Sequence, residues 1–272
     1  MAFNYKKFDK SNNQQWDEFV NASVNGTMFH TRKFLSYHPD DRFVDASIEF
    51  YKNNRRFAVF PAVDFKYNGK RTLLSHRGAS YGGFVYEEGI SIRQSFGLVD
   101  SLIKFAREEK FEQIMMTLPP IIYERRLSNY IDFALLKHGF HYLKREVSSI
   151  VRLENTIQEN VAKFKQTNRT AFRKAQKLGV EIRQSEDYEE FYSILKKNLK
   201  IRHNVQPTHT LDELIKLKNM YPEKIRLFGA YVKDEMVAGV VMFDCNAEVT
   251  LAFYNSHKES MQEFLGGNLL FY

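Results

Sequence analysis

Strand-like and helix-like patterns alternate along the whole 272-residue chain, and this alternation limits the fold more than any other feature. Residues 47–65 hold two apolar runs joined at Asn53-Asn54, which is typical of a hairpin. After Ser91, a candidate N-cap, apolar residues recur at steps of three and four up to about Lys110, which predicts a helix. Such an order predicts an α/β or α+β protein with mixed central sheets flanked by helices.

The composition changes after Leu153, and this change suggests a domain boundary. Residues 141–154 alternate as a strand, whereas residues 155–178 contain no Gly or Pro and keep a helical apolar period. Helices are predicted at 187–201 and 211–220, followed by three antiparallel strands over 225–256. We therefore expect two domains, 1–154 and 155–272.

The composition excludes several classes of protein. A single cysteine, Cys245, leaves no intrachain disulfide and no CxxC site, and we expect it to be a small packing residue. The histidines and acids show no metal-ligand spacing, so no metal site is predicted. Neither a signal peptide nor a membrane-spanning segment is indicated, and a cytoplasmic location is expected. The formal net charge of +7 favours anionic partners without identifying one.

A basic stretch lies between Lys163 and Arg183, where Glu181 is the single acid. Four cations of this stretch are spaced four residues apart and predict a ridge on one helix face: Lys165, Arg169, Arg173 and Lys177. Neighbouring like charges repel unless an anion is near. A solvated helix surface and a surface that binds phosphate groups explain the ridge equally well.

Two further groups are candidates for binding. Gly266, Gly267 and Asn268 open the last apolar segment, where exposed backbone N–H groups can hold a pyrophosphate, although a glycine pair is more often a plain turn. Arg202-His203 stands at the end of a predicted helix. There it either lines a pocket or only complements the helix dipole.

Several stretches and their order resemble the Fem-like acyltransferases of the GNAT superfamily. These stretches are WDEFVNASVNGTMFHTRKFLSYH (16–38), FRKAQKLGVEIR (172–183), FYSILKKNLKIRHN (191–204) and RLFGAYVKDEMVAGVVMF (226–243), followed by a glycine-opened segment. The resemblance covers about 16–272 and implies two tandem GNAT-like domains. It also implies transfer of an acyl or aminoacyl group from acyl-CoA or aminoacyl-tRNA to an amine, with no tightly bound cofactor.

The resemblance assigns roles to particular residues. It places Arg32, Lys33 and Arg202 at the acceptor, and Gly266, Gly267 and Asn268 at the donor pyrophosphate. Tyr254 and His203 are the candidate proton carriers. The chain departs from the family pattern because it stops at Tyr272 and lacks the long charged helical hairpin of some members. We therefore expect an incomplete second domain, either because the sequence is truncated at its C-terminus or because the domain has been reduced and has lost activity. We also expect an acyl-CoA donor over an aminoacyl-tRNA.

The sequence leaves two functions open. The first is an N-acyltransferase acting on an amine of an anionic cell-wall or glycan precursor, with tRNA as a candidate partner. The alternative is a noncatalytic GNAT scaffold that binds an anionic nucleotide sugar or nucleic acid through the basic ridge. A plain nucleic-acid-binding protein ranks last, because the aromatic residues of the stretch, Phe164 and Phe172, lie on its apolar side.

Overall fold

The structure, a computed structural model, describes residues 3–264, with the backbone alone given at positions 203, 262 and 263. Internal contacts divide the chain into two compact units. The first runs to Ser148 and takes in Cys245–Val249, while the second begins at Ser149 and holds the remaining residues. Three sheets are flanked by helices, which confirms the predicted mixed α/β class.

The secondary structure of residues 3–264 alternates as the sequence predicts. The helices are α1 (Asn13–Ala22), α2 (Arg32–Leu35), α3 (Ile92–Glu108), α4 (Tyr130–Lys137), α5 (Ile157–Ala162), α6 (Gln166–Lys177), α7 (Tyr188–His203) and α8 (Leu211–Met220). The strands are β1 (Asn4–Lys7), β2 (Val44–Asp45), β3 (Ile48–Lys52), β4 (Arg55–Phe60), β5 (Val63–Tyr67), β6 (Lys70–Ser75), β7 (Val85–Tyr86), β8 (Gln113–Met116), β9 (Val180–Ser185), β10 (Ile225–Val232), β11 (Glu235–Asp244) and β12 (Thr250–His257). Helix α8 begins and ends where the sequence predicts.

Two four-stranded sheets form the first unit, in the orders β1-β3-β4-β7 and β2-β5-β6-β8. The hairpin predicted at Asn53-Asn54 joins β3 to β4, and both residues have positive φ angles of 49° and 61°. Two successive residues with positive φ give a turn whose twist matches that of the paired strands. The asparagine pair therefore fixes this hairpin, and the prediction is confirmed.

Helix α3 covers the core of the first unit. Ser91 caps it in a capping box with Gln94, as the Ser91 prediction requires. Leu98, Val99 and Leu102 are fully buried in the core cluster that α3 and α4 share with the strands. Burying a side chain of this size contributes about 1.5–3 kcal/mol, so the apolar face of α3 is a main source of stability in this unit.

The predicted strand at 141–154 is wrong. The stretch has no regular structure and lies exposed, with Val147 98% and Leu153 75% accessible to solvent. Alternating β-branched and polar residues favour a β-strand. A strand forms, however, only where a partner strand pairs with it. The local pattern carried no information about that partner.

The second unit is built on one antiparallel sheet in the order β12-β11-β10-β9. Helix α7 lies on this sheet through the fully buried Phe191, and a Cβ atom at Gly239 would come within 2.5 Å of the Phe191 ring. Glycine at this β11 position therefore permits the close approach of helix and sheet. Helix α7 also contacts β12, and polar side chains of the helix and of the strand face each other there.

The helix predicted over 155–178 is interrupted. Helix α5 begins at a capping box of Thr156 with Glu159 and ends before Lys163, and α6 starts at Gln166. Lys165 is therefore the N-cap residue of α6 and not part of a continuous helix. Gly179, with a φ of +74°, follows α6 as the sequence predicts.

Candidate active site

A polar seam runs along α7 where this helix faces β12. Asn198, only 8% exposed, donates from its Nδ2 to the Ser256 Oγ at 2.7 Å and to the carbonyl of His257. Buried amides retain such bonds because an unmade hydrogen bond costs about 1–3 kcal/mol. Asn198 therefore fixes the register of α7 on β12.

A bulge in β12 brings two aromatic residues to the same place. Val241 pairs with Tyr254 and Met242 with Ala252, so Phe253 has no direct partner in β11. An extra residue of this kind bends a strand and re-aims its side chains. The rings of Phe253 and Tyr254 both contact His209, at centroid distances of 5.4 and 6.0 Å.

The Tyr254 hydroxyl is held by the loop that precedes α8. The backbone N–H of His209 donates to the Tyr254 Oη at 3.2 Å, and the His209 Nδ1 lies 2.9 Å from the same oxygen. Thr208 is a further hydrogen-bond partner of this hydroxyl. Since the backbone N–H uses a lone pair of the oxygen, the hydroxyl hydrogen is free to point towards the imidazole whenever Nδ1 is the acceptor.

The loop is itself fixed from α7. The Tyr192 Oη donates to the His209 carbonyl at 3.0 Å, and His209 is buried, with 4% of its surface exposed. Backbone and side chain of His209 are thus held by two tyrosines from different elements. A hydroxyl and an imidazole held in this way form a preorganised pair.

Burial raises the pKa of Tyr254 above its ordinary value, and the hydrogen bonds from His209 and Thr208 oppose this rise. The tyrosine is therefore a neutral hydrogen-bond donor at neutral pH. An imidazole at hydrogen-bond distance can take the hydroxyl proton when the oxygen receives one from elsewhere. The pair can accordingly relay a proton.

Arg202 lies at the end of the same seam but is engaged. Its Nε donates to the Glu259 Oε1 at 2.8 Å, and its Nη2 lies 3.2 Å from the His257 Nε2. The guanidinium side chain stays 47% exposed. The helix-end arginine is thus close to β12, as the Tyr254 pair is, and its assignment to an acceptor stays a prediction.

Arg32 and Lys33 belong to the first unit and begin α2. The Arg32 guanidinium pairs with Asp45, donates to the Ser47 Oγ at 3.0 Å and lies 4.2 Å above the Phe8 ring. The Asp17 carboxylate accepts from the backbone N–H groups of both Arg32 and Lys33. These contacts hold the start of α2 and give Arg32 a structural partner. Its role towards an acceptor is not tested by them.

The basic ridge lies on α6, which packs on β9 through Ala175 and Val180. Strand β9 is at the opposite edge of the sheet from β12, three strand spacings or about 14 Å away. Within residues 3–264, Lys165, Arg173 and Lys177 are exposed and make no ion pair, while Arg169 donates to the Ala162 carbonyl. The ridge is therefore a surface separate from the Tyr254 pair.

Comparisons with known proteins give a match at the level of structure alone. No protein-family model matches the sequence, and no curated protein sequence matches it. The crystal structure of FemX aligns over 98% of this chain and 83% of its own, with a TM-score of 0.67 and 13% identity. The fold is Fem-like. A conserved protein of unknown function from Bacteroides thetaiotaomicron aligns over 99% of this chain and 86% of its own, with a TM-score of 0.54 and 13% identity.

Some predicted site residues lie outside the described part of the chain. Gly266, Gly267 and Asn268 follow residue 264, and the His203 side chain is likewise not described. The sequence pattern does not single out His209, which follows Pro207 and Thr208 in the loop before α8. His209 meets Tyr254, 45 residues later in the chain, because of the bulge in β12. A sequence pattern does not show a bulge.

The first unit contains a cavity of about 570 Å³ beside β8 and α3. Its walls include Phe111, Ile114, Phe140 and Leu143, with Arg107 among the charged residues. None of the predicted site residues whose side chains the structure describes lines it. Its size is that of a ligand site, but the residues of the Tyr254 pair are not among its walls.

Proposed function

We propose that the chain is an N-acyltransferase that moves an acyl or aminoacyl group to an amine of a cell-wall or glycan precursor. The observation that carries the proposal is the hydrogen-bonded pair of the half-buried Tyr254 and the buried His209 on a Fem-like fold. The resemblance to Fem-like acyltransferases supplies the reaction class. The GNAT-like character of the two domains, 1–154 and 155–272, belongs to the same proposal.

The reaction needs one proton to leave the attacking amine. The amine nitrogen attacks the carbonyl carbon of the donor, a C–N bond forms, and the C–S bond of a thioester or the C–O bond of an aminoacyl ester breaks. The leaving sulfur or oxygen takes up one proton. The Tyr254 hydroxyl is proposed to give that proton. The proton that the amine loses is proposed to return to Tyr254 through His209, so that the pair is unchanged after the transfer.

The proposed donors are acyl-CoA or aminoacyl-tRNA, used as co-substrates and not as tightly bound cofactors. Both carry phosphates, and the ridge cations Lys165, Arg173 and Lys177 are available to a polyanion. Arg202, Arg32 and Lys33 are proposed to meet the anionic acceptor, and Gly266, Gly267 and Asn268 the donor pyrophosphate. A cytoplasmic location, where these donors occur, is part of the same proposal.

A transfer assay with a mass readout tests the function. The protein is incubated with acyl-CoA or aminoacyl-tRNA donors and a nucleotide-linked muropeptide acceptor. The mass of the acceptor is then measured by mass spectrometry. The proposal expects an acceptor heavier by one acyl or aminoacyl group with at least one donor. An unchanged acceptor mass with every donor contradicts it.

A noncatalytic anion-binding module is the second candidate, favoured by the three ridge cations that pair with no acid among the described residues. It predicts salt-sensitive binding of a polyanion without any mass increase of the acceptor. The same assay, run beside a binding titration, therefore separates the two functions.

A further inference from the structure

Helix α4 of the first unit is apolar on both faces. Ile131, Ala134 and Leu135 are buried in the core. On the solvent side, Phe133 is 40% and Leu136 48% exposed. Helices at a protein surface are normally polar on that side. The Phe133 ring packs in part on Phe96, yet α4 still exposes more apolar surface than is usual.

The apolar surface continues beyond the helix. Leu127 precedes α4 and is 69% exposed, and Leu143 follows it with the same exposure. The Arg145 guanidinium lies 4.7 Å from the Tyr142 ring. Arg145 is near Asp132 of α4, because it opposes the rise that burial causes in the pKa of that carboxyl group. We define the α4 patch as the exposed apolar residues Leu127, Tyr130, Phe133, Leu136, Tyr142 and Leu143.

The rim of the α4 patch is cationic. Arg126 is exposed and makes no ion pair with another described residue, and the Lys137 Nζ lies 5.4 Å from the Phe133 ring centroid. Of the nearby acids, Glu146 pairs with Lys144 at 2.6 Å. Glu124 accepts hydrogen bonds from within the unit, through the Tyr86 hydroxyl and the Ser128 backbone N–H. Arg126 adjoins Leu127 in the chain, Lys137 lies beside Phe133 and Arg145 beside Tyr142, with the charge of Arg145 partly offset by Asp132.

This combination selects one kind of partner. A second copy docked by two-fold symmetry would bring the same cationic rim against itself, which opposes association. An anionic bilayer surface instead takes the apolar and aromatic side chains between its headgroups, while the cations meet lipid phosphates. Eight helical residues span about 12 Å, which suits shallow insertion parallel to the surface.

We propose that the α4 patch docks the chain on the surface of an anionic phospholipid bilayer. This inference is independent of the proposed acyl transfer, because every residue it uses lies in the first unit and outside the Tyr254 pair. None of the helices in residues 3–264 is long and apolar enough to cross a bilayer. The proposal is that the chain docks on the bilayer surface and does not cross the bilayer.

Co-sedimentation with vesicles tests it. The full chain is mixed with vesicles of phosphatidylcholine alone, or of phosphatidylcholine with phosphatidylglycerol, and the pelleted fraction is measured. Wild type should bind the anionic vesicles and little of the neutral ones. Phe133→Ser with Leu136→Ser should lower the partition coefficient about tenfold or more, since two exposed apolar side chains no longer insert. Arg126→Glu with Lys137→Glu should do the same, and added salt should weaken wild-type binding.

The matched control is Ile182→Ser with Ile201→Ser, which removes two exposed apolar side chains from the second unit. It should bind as wild type does. Circular dichroism should show every variant folded at the assay temperature, although Phe133→Ser should melt somewhat lower because its ring packs against Phe96. Equal pelleting of wild type and both patch variants overturns the proposal. So does a dimer of the wild type that becomes a monomer in Phe133→Ser without any vesicle binding, because the partner is then a second copy.

Discussion

Two histidines of the first unit are buried in their neutral form. His30 is fully buried, its Nδ1 accepts from the Thr27 backbone N–H, and its Nε2 faces the Gly82 carbonyl at 3.2 Å. His76 is 8% exposed, and its Nδ1 has no hydrogen-bond partner among the described residues. Burial lowers the pKa of each to about 4.

These depressed pKa values make the first unit sensitive to acid. An unfolded histidine takes up its proton near pH 6.5. Between about pH 6.5 and pH 4 the unfolded state therefore binds more protons, and the free energy of unfolding falls as the pH falls. The expected slope is on the order of 1 kcal/mol per pH unit for each histidine.

Urea unfolding followed by the fluorescence of Trp16, the single tryptophan and a buried residue of the first unit, measures this slope. His76→Gln removes one titrating group and should make the stability fall less between pH 7 and pH 5. The raised pKa values of Asp17, Glu124 and Asp132 act in the opposite sense and are the same in both proteins. His141→Gln is the matched control, because His141 is exposed. An unchanged slope in His76→Gln would show that His76 does not stay neutral in the folded protein.

Arg202 offers a second test at the residue scale. Its pair with Glu259 is exposed and should add less than about 1 kcal/mol to stability. If Arg202 instead holds an anionic acceptor through its planar guanidinium, Arg202→Lys should weaken binding of a nucleotide-linked muropeptide about tenfold in calorimetry. Glu259→Gln breaks the pair but keeps the cation, and should not weaken it. Equal affinities of wild type and Arg202→Lys would leave the arginine with its ion pair alone.

At the scale of elements, charge reversal on α6 distinguishes polyanion binding by the basic ridge from a general effect of net charge. Arg173→Glu with Lys177→Glu should lower the affinity for a polyanion such as tRNA or heparin about tenfold at moderate salt, and the difference should shrink as salt rises. Lys196→Glu with Lys200→Glu makes the same charge change on the exposed face of α7. A loss of affinity that is equal in both double variants means that net charge, and not the ridge, attracts the polyanion.

Elements with strong local signals were predictable from the sequence. The capping box at Ser91 and the asparagine pair at the β3–β4 turn mark their positions through local hydrogen bonds and backbone angles. The absence of a strand at 141–154 was not predictable, because pairing depends on a distant partner. The candidate site is intermediate. Tyr254 was among the predicted proton carriers, whereas His209 reaches it only through the bulge at Phe253.

At the scale of the whole molecule, similarity to FemX extends over 98% of the chain at 13% identity. A fold retained at such low identity is specified by apolar pattern and turn chemistry more than by particular residues. Function has to be argued from the site, since one fold can host several chemistries. The proposed acyl transfer therefore depends on what the Tyr254–His209 pair does.

The most direct test of that claim compares acyl-transfer rates of wild type and Tyr254→Phe, with donor and acceptor taken from the mass assay. Removing the hydroxyl should lower kcat about a hundredfold, within the range of acid–base contributions, and leave KM nearly unchanged. Tyr231→Phe is the control, because the buried Tyr231 hydroxyl bonds the Ser185 Oγ at 2.7 Å, away from β12. It should keep the wild-type rate. A Tyr254→Phe protein that transfers the acyl group as fast as Tyr231→Phe contradicts the account.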